Sequence, residues 1–77
     1  MDQKSLLRFL EEVIANTSGQ NSVVLTMDDT ADSVSGWDSL VTVSIAAALT
    51  DEFNFKLSID DLENLTSVKT IYEIISK

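Results

Sequence analysis

Ser39 stands in the segment Gly36-Trp37-Asp38-Ser39-Leu40, with a long apolar stretch behind it. Asp38 is a good N-cap, so Ser39 falls on the first turn of a helix. Backbone N–H groups lack intrahelical acceptors there, and the dipole presents its positive end. An oxygen held at that place favours a negatively charged substituent, which makes the hydroxyl a candidate attachment point for a phosphate-linked group. The same residues also fit an ordinary first-turn serine, with Asp38 as cap and Gly36 ending the loop. A Gly-x-Ser-x-Gly hydrolase elbow is excluded, because Leu40 and Val41 follow the serine and the chain has no histidine to activate it.

Composition narrows the chemistry further. Without histidine the chain lacks the usual general base, and without cysteine it lacks a thiol nucleophile, a disulfide and a thiolate metal ligand. It is therefore read as no enzyme, and any thiol it uses must be borrowed. Asp28, Asp29 and Asp32 lack the alternating ligands and central glycine of a calcium loop, so no metal site is expected. Thirteen acidic against five basic residues give a formal charge of −8, and no basic residue lies between Arg8 and Lys56. Such a field repels nucleic acid and speeds encounter with basic protein patches, although acids also serve plain solubility.

Seventy-seven residues suit one small domain, expected over positions 1–77. The start, Met1-Asp2-Gln3-Lys4, lacks the basic flank and apolar core of a signal peptide, and no apolar run reaches membrane-span length. The expectation is a cytoplasmic monomer with no membrane span.

The elements that must position Ser39 follow from periodicity and caps. Leu6, Leu7, Phe9, Leu10, Val13 and Ile14 recur at helical spacing, predicting a first helix from Gln3 to Asn16. A polar connection from Thr17 to Trp37 follows, with Val23, Val24, Leu25 and Met27 as apolar anchors. Val23 to Leu25 could form a short strand, but no second β-branched run exists to pair with it. The second helix is predicted from Ser39 to Phe53, its apolar stripe carried by Leu40, Val43, Ala46, Ala47, Ala48, Leu49 and Phe53. Ser58 and Asp61 imitate a capping box for a short turn through Ile59, Leu62 and Glu63. Ser67 can cap a last helix carrying Val68, Ile71, Tyr72, Ile74 and Ile75. The predicted fold is all-α: a small four-helix bundle of three longer helices and a short third one, with a long first loop.

Gly36-Trp37-Asp38-Ser39-Leu40, followed by Val43, Leu49 and Asp51-Glu52-Phe53, resembles the acyl carrier proteins and the related carrier modules of peptide and polyketide assembly. The likeness runs over nearly the whole chain, including Thr66-Ser67-Val68 at the start of the last helix. It implies that Ser39 accepts 4′-phosphopantetheine from coenzyme A through a separate Mg²⁺-dependent phosphopantetheinyl transferase. The arm's thiol would then hold an acyl group as a thioester. Partners implied are acyl- or aminoacyl-ligases and acyltransferase or synthase enzymes with basic docking patches, meeting a surface of Asp38, Leu40, Ser44, Ala47, Asp51 and Glu52. An aminoacyl or peptidyl carrier is the alternative within this likeness; an unmodified acidic adaptor for a basic protein is the alternative outside it.

Two departures bear on pathway. Trp37 replaces the alanine usual in the fatty-acid carrier, and it is read as packing the loop onto the bundle with its indole N–H directed outward. The second helix carries Val41, Ser44, Ala47 and Thr50 where that carrier shows acids and a methionine, which favours dedicated partners. Ala46, Ala47 and Ala48, set against Ile59, Leu62, Leu65 and Ile71, either leave a hollow for an acyl chain or allow close helix packing; packing is the expected outcome.

Overall fold

A computed structural model describes residues 2–20, 22–54 and 56–76. Four helices follow one another, α1 (Gln3–Ser18), α2 (Ser39–Phe53), α3 (Ile59–Glu63) and α4 (Val68–Ile75). The expected all-α four-helix arrangement is the one observed.

Every helix begins where a short polar side chain can take up a free backbone N–H. Asp2 accepts from the Ser5 amide at 2.8 Å, Asp38 from Val41 at 3.0 Å and Ser67 from Thr70 at 3.2 Å. Ser58 and Asp61 form a reciprocal capping box at 3.1 Å in both directions. α1 runs past the expected Asn16 to Ser18, because the Ser18 hydroxyl donates to the Ile14 carbonyl and Gly19, at φ 76°, closes the end in the left-handed region.

Leu6, Leu10 and Ile14 form the buried edge of α1, with Leu7, Phe9 and Val13 packed partly buried beside them. They meet Val41, Ile45, Ala46 and Leu49 of α2 and Val68, Ile71 and Ile74 of α4, with Leu65 filling the same core. Phe9 and Phe53 add an edge-to-face aromatic pair with centroids 5.5 Å apart. Burial of this apolar surface is the main favourable term, and α3, which buries none of its residues, contributes least to it.

α2 buries only part of the expected stripe: Ala46 and Leu49 are in the core and Phe53 packs against it. Leu40 and Val43 are exposed at 63% and 64%, Ala47 is exposed as well, and the core instead takes Val41 and Ile45. The helix is apolar on nearly every side, so periodicity along its own sequence does not choose which side packs. α1 makes the choice, because it packs along one flank of α2 only.

The long loop is tied down from both sides. Leu25 is buried, and its amide donates to the Glu11 carboxylate at 2.8 Å, fastening the loop to α1. Val23 and Met27 pack partly buried, but Val24 is 83% exposed, so it is no anchor. It sits in extended chain between two inward neighbours and must point the other way. The strand considered for Val23 to Leu25 is not formed; the bridge present joins Thr30 to Ser67. There the Ala31 amide reaches the Thr66 carbonyl at 2.7 Å and the Val68 amide reaches the Asp29 carbonyl at 3.1 Å, clipping the loop to the start of α4.

Candidate functional site

Ser39 is the first residue of α2 and is exposed. Asp38 Oδ1 takes the Val41 amide and the Asp38 carbonyl takes the Thr42 amide, both at 3.0 Å. Among the described residues no acceptor meets the amides of Ser39 and Leu40, and the Ser39 hydroxyl has no hydrogen-bond partner. Two unused donors beside a free hydroxyl, at the positive end of a 15-residue helix, suit an anionic ester on that oxygen.

The loop holds this turn in place. Gly36 has φ 88°, a region that side chains disfavour, and a Cβ there would run into the Gln20 amide. That amide donates to the Ser35 carbonyl at 2.7 Å and the Ser18 hydroxyl at 3.1 Å, so Gly36 is where the loop presses against the end of α1. Trp37 is 5% exposed, in agreement with the packing role expected. Its indole N–H does not go to solvent, however; it donates to the Thr42 hydroxyl at 3.1 Å. Thr42 and Gln20 were not singled out from the sequence. Thr42 does carry a local signal, standing four residues after the cap it bonds, whereas nothing near Gln20 announces a contact fifteen residues away.

A surface concavity of about 440 Å³ opens beside Ser39, lined by Ala31, Trp37, Thr42, Val43, Leu62 and Glu63 among others. Val43 and Leu62 also line an open groove of about 570 Å³ that continues between α2 and α3 past Ala46 and Ala47 to Asp51 and Lys56. The three alanines therefore part company. Ala46 belongs to the core, Ala47 faces the groove and Ala48 is half-buried without lining it. Of the walls expected opposite them only Leu62 lines the groove, since Ile59 is 76% exposed and Leu65 and Ile71 are fully buried.

The surface residues expected to meet partners lie along α2, with Asp38 as its cap. Asp38, Leu40, Ala47, Asp51 and Glu52 are exposed and Ser44 is half-buried. Val41, read as part of the exposed face, is 1% exposed and packs in the core; Val43 takes its place on the surface. Asp29 is engaged locally. Its carboxylate accepts from the Thr26 amide at 2.8 Å and from the Ser33 hydroxyl at 3.0 Å, and these bonds, the backbone one first, hold its pKa below the ordinary 3.8. Asp28 pairs instead with Lys69 at 3.4 Å.

A small helical bundle that displays an exposed serine hydroxyl on a capped helix tip has the arrangement that suits a carrier domain. Residues 8–75 match the family described as "Phosphopantetheine attachment site", and the chain belongs to that family of proteins bearing 4′-phosphopantetheine covalently. It is similar to the "Acyl carrier protein" of Syntrophobacter fumaroxidans, with 27% identity over the whole chain and 95% of that protein. A 40-residue stretch is 45% identical to the "Acyl carrier protein" of Buchnera aphidicola subsp. Baizongia pistaciae, covering 52% of this chain and 51% of that protein. No solved structure matches the chain. Carrying acyl groups on the covalent arm, with no catalysis of its own, is the function that the family match and these relatives support.

Proposed function

We propose that Ser39 is the residue that bears the arm. The observation that carries this reading is the exposed, unpartnered hydroxyl beside the unused amides of Ser39 and Leu40 on the α2 tip. In loading, Ser39 Oγ forms a phosphodiester bond, adenosine 3′,5′-bisphosphate leaves coenzyme A, and a phosphopantetheinyl transferase takes up the hydroxyl proton. Once bound, the arm supplies the thiol that this chain lacks and holds acyl cargo on it as a thioester. The Ser39 and Leu40 amides and the helix dipole then stabilise the phosphodiester charge.

The whole chain acts as one carrier unit in the cytoplasm, where coenzyme A is at hand. Acyl-ligases, acyltransferases or synthases meet Asp38, Leu40, Ser44, Ala47, Asp51 and Glu52, joined by Val43. The middle of this face is uncharged and its acids lie at the ends, so steering by basic patches is present but reduced. That balance, together with Trp37, favours enzymes of a dedicated pathway over the fatty-acid synthase set. Because the chain contains no cysteine, thiol titration reads the arm directly. Treatment with coenzyme A and a broad-specificity transferase should give one reactive thiol per chain, and Ser39→Ala should give none. A thiol on the Ser39→Ala protein would move the attachment elsewhere.

A further inference from the structure

Trp37 and Thr42 flank Ser39 on either side in sequence and are joined above its turn. The Trp37 indole N–H donates to Thr42 Oγ1 at 3.1 Å, and Thr42 Oγ1 donates to the Asp38 carbonyl at 3.2 Å. The same carbonyl receives the Thr42 amide at 3.0 Å. A closed ring thus runs from the loop residue before the cap, through a side-chain chain of two hydrogen bonds, back to the cap itself. Such chains reinforce one another where water is kept out, and the indole here is 5% exposed.

Ser39 and Thr42 are three apart on the helix and are therefore neighbours on its surface, and both line the concavity at the α2 tip. Left alone, a threonine hydroxyl at that spacing would rotate freely and compete for whatever approaches Ser39. The indole occupies one of its lone pairs and the Asp38 carbonyl its proton, so Ser39 keeps the unpaired hydroxyl of the pair. The loop side of the turn is fixed at the same time, because Trp37 cannot leave its socket without giving up its partly buried N–H bond.

We propose that Trp37 and Thr42 are positioning residues for the loading reaction at Ser39, holding in place, through this two-bond relay, the helical turn that carries its hydroxyl. The proposal rests on Ser39 being the attachment residue. An orientation effect appears in turnover and not in docking, since it acts on the presentation of the reacting hydroxyl and not on the contacts that hold the two proteins together.

The test is steady-state transfer from saturating coenzyme A with carrier concentration varied, using wild type, Trp37→Phe, Thr42→Val, Thr42→Ser and the Phe/Val double variant. Loss of one neutral hydrogen bond predicts a kcat lower by about fivefold in Trp37→Phe, and Thr42→Val, which removes both bonds of the relay, should lose at least as much. KM should stay within about twofold, and Thr42→Ser, which keeps the hydroxyl, should restore kcat. The double variant should fall no further than Thr42→Val, because Trp37→Phe removes a bond that Thr42→Val already lacks. Trp37 is the only tryptophan, so its indole N–H resonance gives a second reading: slow hydrogen exchange in wild type and Thr42→Ser, fast in Thr42→Val. Thr42→Val conserves shape and keeps the test intact if Trp37→Phe fails to fold. Unchanged kcat, losses that multiply, a loss confined to KM or a Thr42→Ser variant no better than Thr42→Val would each overturn the relay. A wild-type chain that accepts no arm would overturn the Ser39 reading and the relay together.

Discussion

Asp29 shows how much of the long loop rests on single side chains. Its carboxylate gathers the Thr26 amide and the Ser33 hydroxyl, while its own carbonyl receives Val68 from α4. Because these donors favour the ionised form, its folded pKa lies below the unfolded value, and the stability it adds is present above about pH 3.8. That contribution is lost as pH falls through the folded value. Acid titration of unfolding should therefore show a shallower loss for Asp29→Asn, which lacks the contribution at neutral pH, than for wild type. Parallel acid limbs would mean that the loop does not depend on this carboxylate. In the sequence Asp29 is legible only as one of three acids too irregular to bind calcium, since its partners belong to a turn that no periodic pattern announces.

α2 is the element on which sequence and structure differ most usefully. Its ends were legible: Asp38 as cap and Phe53 as last residue follow from short-range chemistry, as do the starts of α3 at Ser58 and α4 at Ser67. Its buried face was not. Leu40, Val41, Val43, Ile45, Ala46, Ala47, Ala48 and Leu49 leave almost no polar side by which to orient the helix, and only docking against α1 selects Val41 and Ile45. Ile45→Ala should accordingly cost about 2–5 kcal/mol in urea unfolding. Val43→Ala should stay within about 0.5 kcal/mol, as a surface change does. Equal costs would contradict the observed register. The loop's closure was hidden for a similar reason, as Gln20 to Ser35 and Glu11 to Leu25 join residues far apart in sequence. The Ser39 site itself was readable because cap, serine and glycine are contiguous; the Trp37 to Thr42 bond was not, because it needs the loop folded over the helix.

At the scale of the whole molecule, a charge of −8 on a body of 30 × 23 × 21 Å makes self-repulsion a standing cost of compactness. The Asp28 to Lys69 pair joins side chains that are 86% and 66% exposed, and it offers little relief. Raising salt toward about 1 M, where the screening length is about 3 Å, should raise Tm. Asp28→Asn, which removes an acid along with the pair, should leave Tm unchanged or slightly higher; a clear drop would show the pair to matter more than the field. The central claim is that one hydroxyl on the α2 tip holds the arm. The measurement that tests it most directly is intact mass with fragment mapping after incubation with coenzyme A and a phosphopantetheinyl transferase. Wild type should gain the mass of one phosphopantetheine, mapped to Ser39, and Ser39→Ala should gain none. A wild-type chain whose mass never changes, or a modification mapped to any other residue, would contradict it.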